Sequence, residues 1–293
     1  MKEGEFNEDL SNYYDDFFKL KLVSKNEPII LMGPSSYKTE LAKFFIKNEN
    51  PNYDKNFNTI YLNQKTTIEE LLGAPNFFNL IESKKFYLKL LLEICHLKKS
   101  SREKNEIIIN GKNNNFKNDL KGFKYEYRNN PIIIDNIYNK MINKGESNEK
   151  YRFEFEPGSI LLSILKQESL IFKNIHQVST EVFERFNELF GTEGILTLNE
   201  DIHQTFFSED NKKKFNQIIK LEKFNNIIFI GTCPENSFRS LSETILSRFF
   251  VICVGEHEES EKEKIIIKYS KMHNINFQQH ISSIIKELKD IKN

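Results

Sequence analysis

The chain alternates short, unbroken apolar runs with longer stretches whose apolar residues recur at helical spacing. IILM at 29–32 reads as a buried strand, and in the following segment Leu41, Ala42, Phe44 and Phe45 lie on one helical face. NTIYL at 58–62, SLIFK at 169–173, NIIFIGT at 226–232 and FVICV at 250–254 read as further strands. Between them, Thr66-Thr67 starts a helix with Glu69 and Glu70 in its first turn, and Leu71-Leu72-Gly73 closes it. Residues 77–98 mix apolar and basic positions at helical spacing, and GSILLSILKQE at 158–168 is an amphipathic helix. Ser179 caps TEVFERFNELF, which places Val182, Phe183, Phe186 and Phe190 on one face, and SLSETILSRF at 240–249 is a helix before the last strand. RFEFEPG at 152–158 and GILTLNED at 194–201 read as hairpin arms. Strands alternating with helices predict an α/β domain built on a mostly parallel sheet.

Three segments stand apart from that alternation. Residues 1–26 are polar with Tyr13, Tyr14, Phe17 and Phe18, a helical lead-in. Residues 98–150 are rich in Asn and Lys, and are expected to be a low-complexity insertion, partly disordered, enclosing the apolar run PIIIDN at 131–136. Residues 256–293 hold two helical patterns, at 259–272 and 278–291, which suggest a small helical lid on a core spanning 27–255.

Composition narrows the function classes. Lys+Arg and Asp+Glu both number 42, so the formal net charge is zero and the chain has no basic footprint for nucleic acid. The acidic, polar N-terminus is no secretory signal, and no apolar run reaches the ~18–20 residues that span a bilayer. Cys95, Cys233 and Cys253 have no metal-type spacing and suit a reducing, intracellular compartment, cytoplasmic or nuclear. His176 and the other histidines show no ligand spacing either.

Candidate chemistry begins at 28–45, PIILMGPSSYKTELAKFF. A strand stops at Gly33-Pro34, passes through Ser35, Ser36 and Tyr37, and meets Lys38-Thr39 at the start of a helix. That outline suits phosphate: backbone N–H groups and a helix N-terminus face the anion, the Lys reaches the outer phosphates and the Thr hydroxyl holds Mg²⁺. The fit to GxxxxGK[ST] is imperfect. The loop is one residue short, and Tyr37 stands where a Gly precedes the Lys. A non-Gly residue there costs about 1–2 kcal/mol if the left-handed conformation is kept. A plain strand–turn–helix is the alternative.

The order of segments resembles the AAA+ ATPases, within them the dynein-related branch that includes midasin and the MoxR-like proteins. The matching segments, in family order, are IYLNQKTTIEELLG, FEFEPGSILLSILKQESLIF, STEVFERFNELFGTEGILTLNED, FNNIIFIGTCP and LSETILSRFF. They cover most of 27–255 and leave 98–150 uncovered. The resemblance implies a P-loop NTPase three-layer αβα sandwich with a parallel sheet and a C-terminal helical lid. It also implies ATP or ADP with Mg²⁺ as ligands, work on a protein substrate, and assembly with itself or other AAA+ modules in a ring or tandem array.

Carried over position by position, the resemblance points to a depleted site. Gly33, Pro34, Ser35, Ser36, Tyr37, Lys38 and Thr39 match the nucleotide loop, with Thr39 as the Mg²⁺ ligand. Lys173 and Asn174 fall where the family has an Asp-Glu pair; a Lys repels Mg²⁺, and an Asn takes no proton from water. Cys233 falls near the water-orienting Asn. Arg248 matches the family's arginine finger, which acts on a neighbour's nucleotide. A second register makes Asp135 the Mg²⁺ ligand and Asn174 the water-orienter, but the flanking segments fit it less well. The expectation is a module that binds ATP or ADP and hydrolyses it weakly or not at all. An active remodelling ATPase and an interaction module blind to nucleotide are the alternatives.

Overall fold

The computed structural model describes residues 20, 27–33, 37–49, 57–110, 114–126, 131–143, 151–191, 194–200, 218–220 and 227–255. The expected lead-in at 1–26, apart from Leu20, and the expected helical lid at 256–293 lie outside the described residues.

Five strands form one parallel sheet: β1 (Ile29–Met32), β2 (Phe57–Tyr61), β5 (Ser169–Lys173), β8 (Phe229–Cys233) and β9 (Phe250–Cys253), in the order β2-β5-β8-β1-β9. These are the five runs read as strands in the sequence. β1 pairs with β8 on one side (Ile30 opposite Gly231) and β9 on the other (Ile30 opposite Val251). Parallel strands need crossovers and so end up buried on both faces, which is why they appear as unbroken apolar runs rather than alternations.

The pleat divides the core. Ile29, Leu31, Ile171, Ile230 and Ile252 point to one face, where Leu41, Ala42, Phe45 and Ile46 of α1 (Tyr37–Glu49) cover them. Ile30, Met32, Leu170, Phe172 and Phe229 point to the other, a larger cluster. There Phe172 lies parallel to Phe229 at 6.5 Å and meets Phe183 and Phe190 edge-on at 6.2 and 5.9 Å. The second face is closed by α7 (Ser159–Lys166), α8 (Thr180–Glu184) and α9 (Glu243–Arg248), through Ile160, Ile164, Phe183 and Ile245.

The Thr67 cap acts as read, whereas Ser179 starts its helix without a side-chain capping hydrogen bond. α2 (Ile68–Leu71) starts in a capping box, Thr67 Oγ1 accepting from the Glu70 N–H at 3.3 Å while Glu70 accepts from the Thr67 N–H at 3.4 Å. Gly73 then takes φ +122°, and the chain leaves the helix as β3 (Gly73–Asn79), whose last three residues, 77–79, the sequence predicts as helix. β3 pairs antiparallel with β4 (Tyr151–Pro157), the RFEFEPG arm, so helix α3 (Leu80–Ile94) begins only at Leu80, capped by Asn79. Glu154 of β4 is buried and accepts from Ser83 at 2.9 Å and from the Tyr87 hydroxyl, which ties this ribbon to α3. The GILTLNED arm supplies β6 (Ile195–Thr197), paired with β7 (Ile218–Lys220).

Within 98–150 the described residues form three helices that the sequence pattern did not predict, α4 (Ser101–Asn110), α5 (Asn114–Glu126) and α6 (Pro131–Asn143). They bury Ile107, Phe116, Leu120, Ile133, Ile134, Ile137 and Met141 in the larger cluster. PIIIDN is therefore the first turn of α6, not a strand. This also removes the second register, because Asp135 stands half-buried on a helix packed along α3 and not at a strand end.

Because α6 is core, Ile137→Ala should destabilise the whole protein by about 2–5 kcal/mol, the usual loss for a buried aliphatic side chain. Guanidinium unfolding would show this as a lower midpoint. An unchanged midpoint would mean that α6 is a dispensable appendage.

Candidate functional site

In an open parallel sheet a ligand crevice forms outside the carboxyl ends of the strands, where connections from two neighbouring strands leave toward opposite faces. β1 and β8 are such neighbours. β1 continues into α1 on the face of Leu41 and Phe45, whereas β8 continues through Leu241 into α9 on the face of Phe172. Gly33, which follows Met32, stands at this junction.

Gly33 is dictated by crowding. Its N–H donates to the Cys233 carbonyl at 3.3 Å, and a Cβ on it would lie 2.2 Å from the Val254 carbonyl oxygen. Any larger residue would drive apart β1 and the end of β9. Pro34, Ser35 and Ser36 lie outside the described residues. Tyr37 is the first residue of α1, so the helix begins immediately before Lys38 and Thr39, both buried.

Lys38 turns back over the loop, and its Nζ donates to the Gly33 carbonyl. Burial pushes its ammonium below the ordinary lysine range, while the nearby Cys233 acts weakly in the other direction. The arrangement puts a desolvated cation and a helix N-terminus beside the loop, a setting that favours an anion.

Lys173 closes β5, in register with Thr232 of β8 and Tyr61 of β2. Its ammonium stands 5.0 Å from the centre of the Tyr61 ring, a contact nothing in the one-dimensional pattern announced. Asn174 follows in the left-handed region at φ 59°, exposed, a conformation Asn tolerates better than most residues. His176, on the 3₁₀ turn Ile175–Gln177, buries Nδ1 with no hydrogen-bond partner among the described residues, and burial lowers its pKa.

Cys233 ends β8, and register places it beside Met32, with Cys253 on Met32's other side. Burial pushes the Cys233 thiol up to about 11, against the opposing pull of Lys38, so it is a protonated wall and offers no carboxamide to a water. Cys253 is exposed. Arg248 ends α9 and is exposed; it has no ion-pair partner among the described residues, and its Nη1 lies 3.7 Å from where a Cβ on Gly191 would stand. The fold therefore brings the loop, Cys233, Lys173 and Asn174 to one edge of the sheet, with Arg248 at the end of the helix that leads into β9.

That edge suits phosphate and does not suit Mg²⁺. Magnesium wants carboxylate and water oxygens. The described strand ends Met32, Tyr61, Lys173, Cys233 and Cys253 supply sulfur, a phenol and a cation but no carboxylate, so the oxygen side-chain donors there are neutral, the Thr39 and Tyr61 hydroxyls and the Asn174 carboxamide. Among the described residues no group of three or more His, Cys, Asp and Glu is placed to hold a metal. Also among them, no helix is long and apolar enough to cross a membrane.

No family model matches the chain, and no curated protein matches it.

The thiols give a direct check of this geometry. At pH 8 a thiol titrating near 11 is about a thousandfold more often protonated than ionised. Iodoacetamide on the folded protein should therefore alkylate Cys253, leaving buried Cys233 and Cys95 to react only after denaturation. Peptide mapping by mass spectrometry reads the order; early labelling of Cys233 would mean the end of β8 is open to solvent.

Proposed function

We propose that the chain is a divergent AAA+ module of the dynein-related type, which takes the phosphate chain of ATP or ADP at the carboxyl end of β1 and turns it over slowly or not at all. The observation that supports this most is the placement of the β1–α1 turn. It lies where connections diverge to opposite faces, it begins with a glycine that the Val254 carbonyl makes obligatory, and it ends on a buried lysine at a helix start. The sheet order, with the loop-bearing strand between the fourth and fifth strands of the sheet in chain order, fits the same reading. In this reading Arg248, exposed at the end of α9, serves a neighbouring module in a ring or tandem array, and the protein substrate meets the assembly.

Slow turnover follows from the residues at the edge. Phosphoryl transfer to water is accelerated by positioning and by charge stabilisation, with a group that aims the water. Lys173 and Asn174 supply no base, and Cys233 supplies no amide. One observation favours a second reading, a module that no longer takes nucleotide: the Lys38 ammonium already donates to the Gly33 carbonyl, and an incoming phosphate must displace that bond.

Isothermal titration with ATP and ADP separates the two. In the first reading the parent binds, and Lys38→Ala weakens binding by roughly ten- to over a hundredfold, the equivalent of a charge-assisted contact of about 1.5–3 kcal/mol. Absence of binding by the parent, or equal affinity in the variant, removes it.

Turnover is a separate prediction. Phosphate release by the parent should fall far below the ~1–100 s⁻¹ typical of active phosphoryl-transfer enzymes. Asp135→Ala should leave it unaltered, because Asp135 is on α6. A gain in Lys173→Asp/Asn174→Glu would show that the remainder of the site is assembled; brisk turnover by the parent would show an ordinary ATPase.

A further inference from the structure

We infer that the trough between α3 and α4 is a docking groove for an acidic amphipathic helix of a partner protein. It shares no residue with the β1–α1 turn, so the inference stands or falls apart from the nucleotide reading.

The two helices are neighbours across the connection 95–100, and each turns one side to a trough of about 480 Å³. On α3 that side is Lys85, Leu88, Lys89 and Leu92; on α4 it is Ser101, Lys104, Asn105 and Ile108. Both sets are spaced i, i+3, i+4, i+7, the row that runs along one side of a helix. The hollow between two such rows is what a third helix fills when ridges pack into grooves. From Lys85 to Leu92 the helical rise gives about 10 Å, the span of three apolar anchors at i, i+4 and i+7.

The trough has an apolar floor and a basic rim. Leu88 and Leu92 are buried, and Leu97 and Ile108 are half-buried against the core. Lys85, Lys89 and Lys104 stand exposed around them, against one lining acid, Glu93. Glu93 meets Lys89 at 3.7 Å in an exposed i, i+4 pair, a kind that contributes little. Lys85 and Lys104 have no ion pair among the described residues. On a chain of zero net charge this is a local positive field, and it selects a partner with acidic flanks.

The shape decides among acidic partners. A membrane surface is met by apolar side chains that stand out past the charges, whereas Leu88 and Leu92 are recessed behind exposed lysines. A nucleic-acid strand uses aromatic faces for stacking, and no aromatic residue lines the trough. A second copy of the same face would set lysines against lysines. A helix with Leu, Ile or Phe along i, i+4, i+7 and Asp or Glu on either side lays its stripe on the floor and meets the lysines with its flanks.

The test is fluorescence anisotropy of the full chain with a labelled designed peptide of about 18 residues, five helical turns, carrying Leu at i, i+4, i+7 and i+11 with Glu on both flanks. Binding should saturate at one peptide per chain and weaken with salt. Lys85→Glu/Lys104→Glu should weaken it by about tenfold or more, because two attractions become two repulsions. Lys117→Glu/Lys121→Glu, exposed on α5 and equal in charge change, should leave the affinity unaltered. Asn105→Trp, at an exposed position of the trough, should block binding without altering a charge. Circular dichroism and the thermal midpoint establish that each variant is folded. A peptide of the same composition with its leucines dispersed around the helix should not bind. Equal binding of that peptide, parent affinity in Asn105→Trp, or equal weakening in the two double variants would mean attraction by charge alone and overturn the inference. No binding of the designed peptide by the parent would overturn it as well. Vesicles of phosphatidylcholine and phosphatidylserine form a second arm: binding to them but not to the peptide, lost in Lys85→Glu/Lys104→Glu, would make the trough a membrane-facing surface and overturn the helix-docking inference.

Discussion

Everything in this protein is arranged around the seating of β1 between β8 and β9. These two partners come from the far end of the described chain, so the central pairings close loops of nearly the whole domain. Such contacts are slow to form because the chain must be ordered before they are rewarded. Once formed they are hard to disturb: Ile29, Ile30 and Leu31 are wholly buried, and each face of the strand belongs to a different apolar cluster. The absence of a side chain on Gly33 belongs to the same constraint, since the strand could not otherwise run on past the Val254 carbonyl.

The site is a by-product of that seating. With β1 fixed, its following helix covers one face and the segment after β8 covers the other, and Gly33 stands where the two diverge. What fills the gap is chemically lopsided. A desolvated lysine, a second lysine resting on a tyrosine, a thiol kept protonated by burial and an asparagine in a left-handed turn all suit a bound anion. None of them suits a metal-activated water. On the proposed reading, retention and turnover of a phosphate ligand are separable, and the residues at the strand ends favour the first.

The three helices α4, α5 and α6 show how composition misleads. Its Asn and Lys residues are those of a solvated tract, yet Ile107, Phe116, Leu120, Ile133, Ile134, Ile137 and Met141 are spaced to bury one side of each helix. Lys99 is held against Asp119 and stands 5.9 Å from the centre of the Phe116 ring, so even the polar residues take part in packing. Low complexity describes the exposed faces, and the buried faces were apolar throughout.

By itself the sequence determined the five strands, most of the helices and the capping of α2. Each of these is set by local pattern: an apolar run, a periodicity, a Thr and a Glu three residues apart. It also listed the residues at the depleted positions, because side-chain identity alone says that a lysine binds no magnesium. Only the tertiary structure decided which strands are neighbours, and hence that Lys38, Cys233 and Lys173 share one edge. It alone made 73–79 a strand and took residues 77–79 out of the predicted helix, because their partner is 151–157 and pairing overrode local periodicity. It alone placed Asp135 on a helix, where an apolar run ending in Asp had looked like a strand end. The reason is common to all three: pairing and packing partners far apart in sequence leave no periodic trace in the segments they join.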